Sequence, residues 1–302
     1  MSVIELDHIT KSYGNHVAVD NLSLQVPKGS IYGFIGPNGS GKTTTIRMIM
    51  NILYPDNGVI RIFGKEHIGS HLDEIGYLPE ERGLYRKMKT KELVSFYGEL
   101  KHVLKPAREA DYWLDKFDLA KWAGKKVETL SKGMTQKVQF IITIINRPAI
   151  IILDEPFSGL DPVNAEIIKD VILDLRREGA TILFSTHDMA VAEKMCDFIF
   201  MIYKGRKVLD GTLESIQKNY GQDTIRLQTD GGARVLEGIP GIDKINDFGK
   251  IQEIKVSNGA DNQVILATLM TRTRVSRFEI TSPSLNDIFI RIARPGKNES
   301  HE

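Results

Sequence analysis

Apolar and polar residues alternate over residues 3–10 and 16–26, the pattern of strands with one wet face. The stretch "GVIRIFG" (58–64) repeats it. Three further runs, "IYGFI" (31–35), "AIIIL" (149–153) and "TILFS" (181–185), are apolar throughout. Unbroken apolar runs predict strands covered on both faces, as in a parallel sheet. Ile46, Ile49, Met50 and Leu53 recur at helical spacing, so a helix is expected to begin near Lys42 or Thr43. From about 86 to 146 the period is helical. Then "AIIIL", a helix over 163–178, "TILFST" (181–186), a helix to about 195 and "FIFMIYKGR" (198–206) follow in αβ alternation. Asp161 and Pro162 suit the start of the helix over 163–178, as N-cap and first-turn proline.

Beyond residue 215 the pattern changes. "DTIRLQT", "DKIND", "IQEIKVS" and "VSRFEIT" are expected to be short strands, with helical stretches near 232–237 and 260–271. The order βαββαβ predicts a small ferredoxin-like α+β unit. The expected organisation is an α/β domain over 1–215, with a mixed sheet core and a helical subdomain at about 86–146. A small α+β domain over 221–295 and a disordered tail at 296–302 complete it.

The three apolar runs each end in polar residues: "GPNGSGKTT" (36–44), Asp154-Glu155, and Thr186-His187. Ligands of open α/β sheets sit beyond the carboxyl ends of the strands, so these clusters are expected to converge. The first cluster has the spacing G-x-x-x-x-G-K-[ST], the Walker A motif of phosphate-loop NTPases. Gly36, Gly39 and Gly41 allow backbone N–H groups to turn inward as an anion nest. Asn38, Ser40 and Thr44 complete the loop, and the following helix points its positive end at the same place. Lys42 supplies a point charge for β- and γ-phosphate, and Thr43 a hydroxyl for Mg²⁺. In "IIILDEP", Asp154 can hold Mg²⁺ and Glu155 can polarise an attacking water.

Bulk properties narrow the class. The 302 residues carry 40 Lys+Arg against 39 Asp+Glu, and the net charge of +1 gives no strong field toward nucleic acid or anionic lipid. From 221 onward eleven cations meet eleven anions, which argues against a nucleic-acid arm. The single cysteine, Cys196, rules out an internal disulfide and suits the cytosol. "MSVIELDHIT" lacks the basic start and apolar core of a signal peptide, and no apolar run reaches the length of a membrane span. His67 and His71 are read as surface loop residues rather than metal ligands.

"TLSKGMTQKVQF" (129–140) resembles the LSGGQ signature of ATP-binding cassette (ABC) proteins. Leu130, Ser131 and Gly133 match; Lys132 stands for the first glycine and Met134 for the glutamine. Tyr13 in "KSYG", Asp161 in "SGLDP" and His187 in "FSTHD" match the family's adenine-stacking aromatic, D-loop and switch histidine, in the family order. The resemblance covers about residues 3–220. Glu80 stands where the family has a glutamine that touches Mg²⁺ and water. "PEERGLY", "LSKGM" and "PSLNDIF" (283–289) resemble a branch of ABC exporters that includes sodium-extrusion and drug-export systems.

The resemblance implies an ATP-hydrolysing, energy-coupling subunit. Glu155, His187 and Lys42 would be catalytic, with Mg²⁺ held near Thr43, Glu80 and Asp154. Tyr13, the loop and Asp161 would bind ATP, sandwiched against Ser131 and Gly133 of a second subunit, identical or related. A separate integral membrane permease would dock near "EERGLY" (80–85), where Arg82, Leu84 and Tyr85 are expected contacts. The chain would then lie in the cytoplasm, peripheral on the inner face of the membrane. An ATPase acting on nucleic acid or ribosomes and a non-catalytic regulatory module are the rival classes.

Overall fold

The computed structural model describes residues 1–66, 74–80, 83–220, 224–257 and 259–293. His67, His71, Arg82 and the expected tail at 296–302 lie outside the described residues. The chain divides into two compact units, one spanning Met1–Gly211 and one beginning at Thr212. The break thus precedes the expected limit at 215, and a helix that the sequence pattern had not marked opens the second unit.

In the first unit, β1 (Ser2–Tyr13), β2 (His16–Pro27), β4 (Asn57–Ile62) and β5 (Lys65–Glu66) form an antiparallel sheet in the order β2-β1-β4-β5. The larger sheet holds β3 (Ile31–Ile35), β6 (Ile75–Leu78), β7 (Ile150–Asp154), β8 (Thr181–Thr186), β9 (Phe198–Tyr203) and β10 (Arg206–Gly211), in the order β10-β9-β3-β8-β7-β6. All its pairs are parallel except the β9–β10 edge. "FIFMIYKGR" is therefore not one strand: Lys204 and Gly205, both at positive φ, turn the chain back into β10. The strand β6 is an addition to the expected set.

The sheet is covered on both sides, which explains the unbroken apolar runs. Ile151, Leu153, Ile182 and Phe184 face a core shared with the helical subdomain. Ile150, Ile152, Leu183 and Phe34 face a second core shared with the antiparallel sheet and helix α1 (Lys42–Ile49). Each fully buried side chain of this kind stabilises the fold by about 1.5–3 kcal/mol.

The helical subdomain contains α2 (Thr90–Leu100), α3 (Pro106–Lys116) and α4 (Lys132–Ile144). Helix α4 is buried continuously from Gln136 to Ile144. Its start is fixed by Ser131, whose hydroxyl accepts the Met134 N–H at 3.2 Å. At its other end, the Lys101 ammonium donates to the Ile142 and Thr143 carbonyls at 2.8 and 3.1 Å. A cation there complements the negative end of the helix dipole. Helices α5 (Pro162–Arg177) and α6 (Met189–Met195) follow β7 and β8. Asp161 caps α5 by accepting the Asn164 N–H at 3.0 Å, the role its sequence context predicts.

The second unit runs α7 (Leu213–Tyr220), β11 (Thr224–Thr229), a 3₁₀ turn (Gly232–Leu236), β12 (Ile242–Asp247), β13 (Gln252–Val256), α8 (Asn262–Arg272), β14 (Val275–Thr281) and α9 (Leu285–Ala293). Its sheet has the order β12-β13-β11-β14, all antiparallel. That is the ferredoxin-like order, with the first crossover shortened from α-helix to 3₁₀ turn. Ile225, Leu227, Ile254 and Val256 face its core with Ile265 and Leu269 of α8.

Candidate functional site

The strand order places the carboxyl ends of β3, β8, β7 and β6 side by side. Ile35 pairs with Thr186, and Asp154 with Ser185, so the polar clusters meet at one level. Beyond them lies a cavity of about 480 Å³ lined by Tyr13, His16, Ala18, Asn38, Gly39, Gly41, Lys42, Thr43, Thr44, Glu80 and Glu155.

The loop after β3 requires its glycines. A Cβ on Gly36 would come within 2.3 Å of the Ile202 carbonyl oxygen, and one on Gly41, at φ 109°, within 2.5 Å of the Ala18 oxygen. Lys42 is buried, and its ammonium donates to the carbonyls of Gly36 (2.7 Å) and Pro37 (3.2 Å). It stands 3.9 Å from Glu155 Oε1. Burial pulls its pKa below the ordinary lysine value, while the charges of Glu155, Asp154 and Glu80 oppose that shift. Glu80, exposed just past β6, thus belongs to the same electrostatic neighbourhood.

The carboxylates at the end of β7 are held differently. Asp154 is fully buried; one oxygen accepts the Ser185 hydroxyl, and Oδ2 is buried with no hydrogen-bond partner. Ser185 Oγ in turn accepts the Glu155 N–H at 3.1 Å. Glu155 sits at φ 50°, which swings its side chain out of the strand line and toward the cavity. Its Oε1 lies 2.9 Å from His187 Nδ1, and the His187 side chain is 57% exposed.

A buried carboxylate oxygen without a donor at the end of β7, together with Thr43 in the lining of the cavity, suits a hard divalent cation that takes oxygen ligands and keeps several waters. The residues therefore fit Mg²⁺. Among the described residues no cluster of three or more His, Cys, Asp or Glu forms a protein-only metal cage.

Most sequence-marked residues are thus brought together: Tyr13, Asn38, Gly39, Gly41, Lys42, Thr43, Thr44, Glu80 and Glu155 line the cavity, with Gly36, Ser40, Asp154 and His187 behind or beside it. Ser131, Gly133 and Asp161 are not among the lining residues. They cluster elsewhere, where the Asn164 amide bonds Asp161 and a Cβ on Gly133 would come within 3.0 Å of that amide nitrogen. Sequence reading missed His16, Ala18 and Ser185. His16 pairs directly with Tyr13 across the hairpin, and the Gly14-Asn15 turn was the available signal. A serine inside an apolar strand carries no such signal.

A second cavity of about 800 Å³ lies between the segment after β6 and the helical subdomain. Leu84, Gln136, Gln139 and Ser158 line it, and Glu80 lines it as well as the first.

Comparison with known proteins agrees with this architecture. The ABC transporter family profile matches residues 19–158, and that of the DrrA1-3-like ATP-binding protein C-terminal domain matches 211–293. The chain is 39% identical over 291 residues to the uncharacterized ABC transporter ATP-binding protein YhaQ of Bacillus subtilis, covering 95% of this chain and 97% of that one. It is 38% identical over 210 residues to the ABC transporter ATP-binding protein NatA of B. subtilis, covering 67% of this chain and 85% of NatA. It is 29% identical to the linearmycin resistance ATP-binding protein LnrL of the same organism, covering 96% and 98%. A solved ATP-binding subunit of an ABC transporter superposes with a TM-score of 0.67 at 29% identity, over 73% of this chain and 94% of that subunit. With a phosphate loop, a carboxylate pair and His187 gathered at one sheet edge, the chain belongs to the ABC transporter ATP-binding proteins, the family that hydrolyses ATP to drive transport.

Proposed function

We propose that two copies of this chain, or this chain and a related one, sandwich two ATP molecules and drive a separate membrane permease of the export type. The observation that carries the pairing is the placement of the signature tip: Ser131 and Gly133 do not line the cavity that holds Lys42. The terminal phosphate develops negative charge during cleavage and needs donors on every side, with water excluded. Lys42 and the loop N–H groups serve one side. The signature tip of a second chain serves the other. No helix among the described residues is long and apolar enough to cross a membrane, so a transport role needs a permease partner. The export reading is supported by the DrrA-like C-terminal match and by relatives named for resistance and export.

In this reading Tyr13 stacks on adenine, worth about 1–3 kcal/mol by analogy with base–aromatic stacking. Thr43 and Asp154 hold Mg²⁺, which when bound neutralises phosphate charge. Glu155 orients the attacking water and takes up its proton. His187 shares Oε1 of Glu155 and keeps that carboxylate aimed at the cavity. Glu80 links the two cavities, so a change at the nucleotide reaches the 800 Å³ groove where a short permease helix docks beside Leu84, with the exposed Tyr85 next to it in sequence. The decisive experiment is to purify the full chain from its native membrane and identify the integral membrane protein that accompanies it. An ATPase that sediments with ribosomes instead would overturn the transporter reading.

Glu80 gives a second expected outcome. A carboxylate beside Asp154 and Glu155 is repelled until a metal ion offsets the charge, whereas glutamine is not. ATP affinity of Glu80→Gln is therefore expected to depend less steeply on Mg²⁺ than that of the parent. Equal dependence in a paired titration would leave Glu80 as a solvated loop residue.

A further inference from the structure

Lys101 follows the last turn of α2, and its ammonium reaches the end of α4, where it donates to the Ile142 and Thr143 carbonyls at 2.8 and 3.1 Å. The same side chain lines a cavity of about 570 Å³ formed by the α2–α3 connection, α3 and the chain just after α4. Two of the three N–H groups thus have acceptors, and both acceptors are neutral. Among the described residues neither a carboxylate nor a third acceptor meets the ammonium. A neutral amine has two N–H groups and one lone pair. It can serve the same two carbonyls and keep the lone pair free. Burial without a counter-ion favours that form and pushes the Lys101 pKa down to about 8.

The rest of the lining decides what meets this amine. His102, Lys105, Arg108, Glu109, Tyr112 and Arg147 are its other titratable or charged groups. The packed end of α4 brings Ile142 and Thr143, which carry no charge. Arg147 is occupied: it stands 3.8 Å from Glu109 and 3.4 Å from Glu178, and lies over the Tyr112 ring at 5.8 Å. Lys105 and Arg108 are exposed, and among the described residues neither has a carboxylate partner. The cavity wall therefore sets two uncompensated cations near a half-buried amine, an arrangement that attracts small anions and repels small cations.

We propose that Lys101 is a covalent acylation site for small anionic acyl donors, acyl phosphates in particular, which the charges of Lys105 and Arg108 bring to its amine. The neutral Nζ attacks the acyl carbon. The N–C bond forms as the C–O bond to phosphate breaks, the phosphate leaves with the bonding pair, and the extra Nζ proton passes to it or to water. Arg108 offers the departing phosphate a planar fork of donors, and Lys105 a point charge. The product amide has one N–H for two carbonyls and no charge, so the end of α4 loses the cation that complements its dipole. The other end of that helix is capped by Ser131. Acylation of Lys101 therefore loosens the helix that carries the signature residues. None of this depends on the two-chain sandwich.

The test is to incubate the full chain with acetyl phosphate between pH 7 and 10 and follow each lysine by peptide mass spectrometry. At pH 8 about half of the Lys101 amine is neutral, against about one in 250 for an ordinary exposed lysine. Lys101 is expected to react about tenfold faster than the median exposed lysine, part of the gain being lost to its lower basicity. Its rate levels off above pH 8 while the others keep rising. The Lys105→Gln, Arg108→Gln double variant is expected to slow acylation of Lys101 by acetyl phosphate about tenfold and to leave its acylation by a neutral acetyl ester unchanged. Treatment should lower the melting temperature of the parent more than that of Lys101→Arg, which keeps a cation at the end of α4. Lys101 reacting no faster than exposed lysines at pH 8 would overturn the site. A double variant slowed equally toward both reagents would overturn the selection of anionic donors, and equal melting shifts in parent and Lys101→Arg would overturn the loosening of α4.

Discussion

The Glu155→Gln chain is expected to bind ATP, to lose turnover by about 10²–10⁴-fold, the usual contribution of a general base, and to accumulate as an ATP-dependent dimer. The substitution keeps the side chain's size and leaves the Ser185-to-backbone hydrogen bond in place, since that bond uses the Glu155 N–H. What it removes is the carboxylate that faces Lys42 at 3.9 Å and His187 at 2.9 Å. Binding by the loop is untouched, so the closed state forms and cannot be discharged. Single-turnover hydrolysis and size-exclusion chromatography with ATP check both halves. Turnover near the parental rate would remove Glu155 from the chemistry.

The second large effect is complementation. Ser131→Arg is expected to bind ATP and fail to hydrolyse it, because in the proposed sandwich the bulky cation blocks the signature tip facing the partner's nucleotide. Lys42→Ala is expected to fail for lack of the phosphate-loop charge. Mixed in equal amounts, the two inactive chains re-form one intact site: the loop of the first with the serine of the second. Random pairing makes half of the dimers mixed, each with one of two sites intact, so activity should recover to about a quarter of the parental value. No recovery, despite mixed dimers seen by mass, would count against shared sites.

Much of this site was legible before any coordinates. β3, β7 and β8 could be read because both faces of each are buried, which leaves a mostly apolar run with no alternating polar face. The convergence of their ends followed from the parallel topology. What escaped reading was short or carried no periodic signal. β6 has four residues, one of them Gly76, whose Cβ would come within 2.6 Å of the Thr143 carbonyl; packing against α4 rather than side-chain pattern makes it a strand. The turn at Lys204-Gly205 was hidden inside an apolar run. Helices α7 and α9 are eight and nine residues long, too short for a few apolar positions to outweigh the neighbouring turns. Ser185 could be found only from the register that sets it beside Asp154.

The backbone of Glu155 carries one more implication. A glutamate at φ 50° occupies a region that is comfortable for glycine and disfavoured for other residues by about 1–2 kcal/mol. The packed ends of β7 and β8 hold it there, and the hydrogen bond its N–H donates to Ser185 Oγ fixes it. Folding thus stores local tension at the residue expected to handle the water, and the reward is aim rather than robustness. A lineage selected for endurance alone would drift toward glycine at this position and fall silent as an engine.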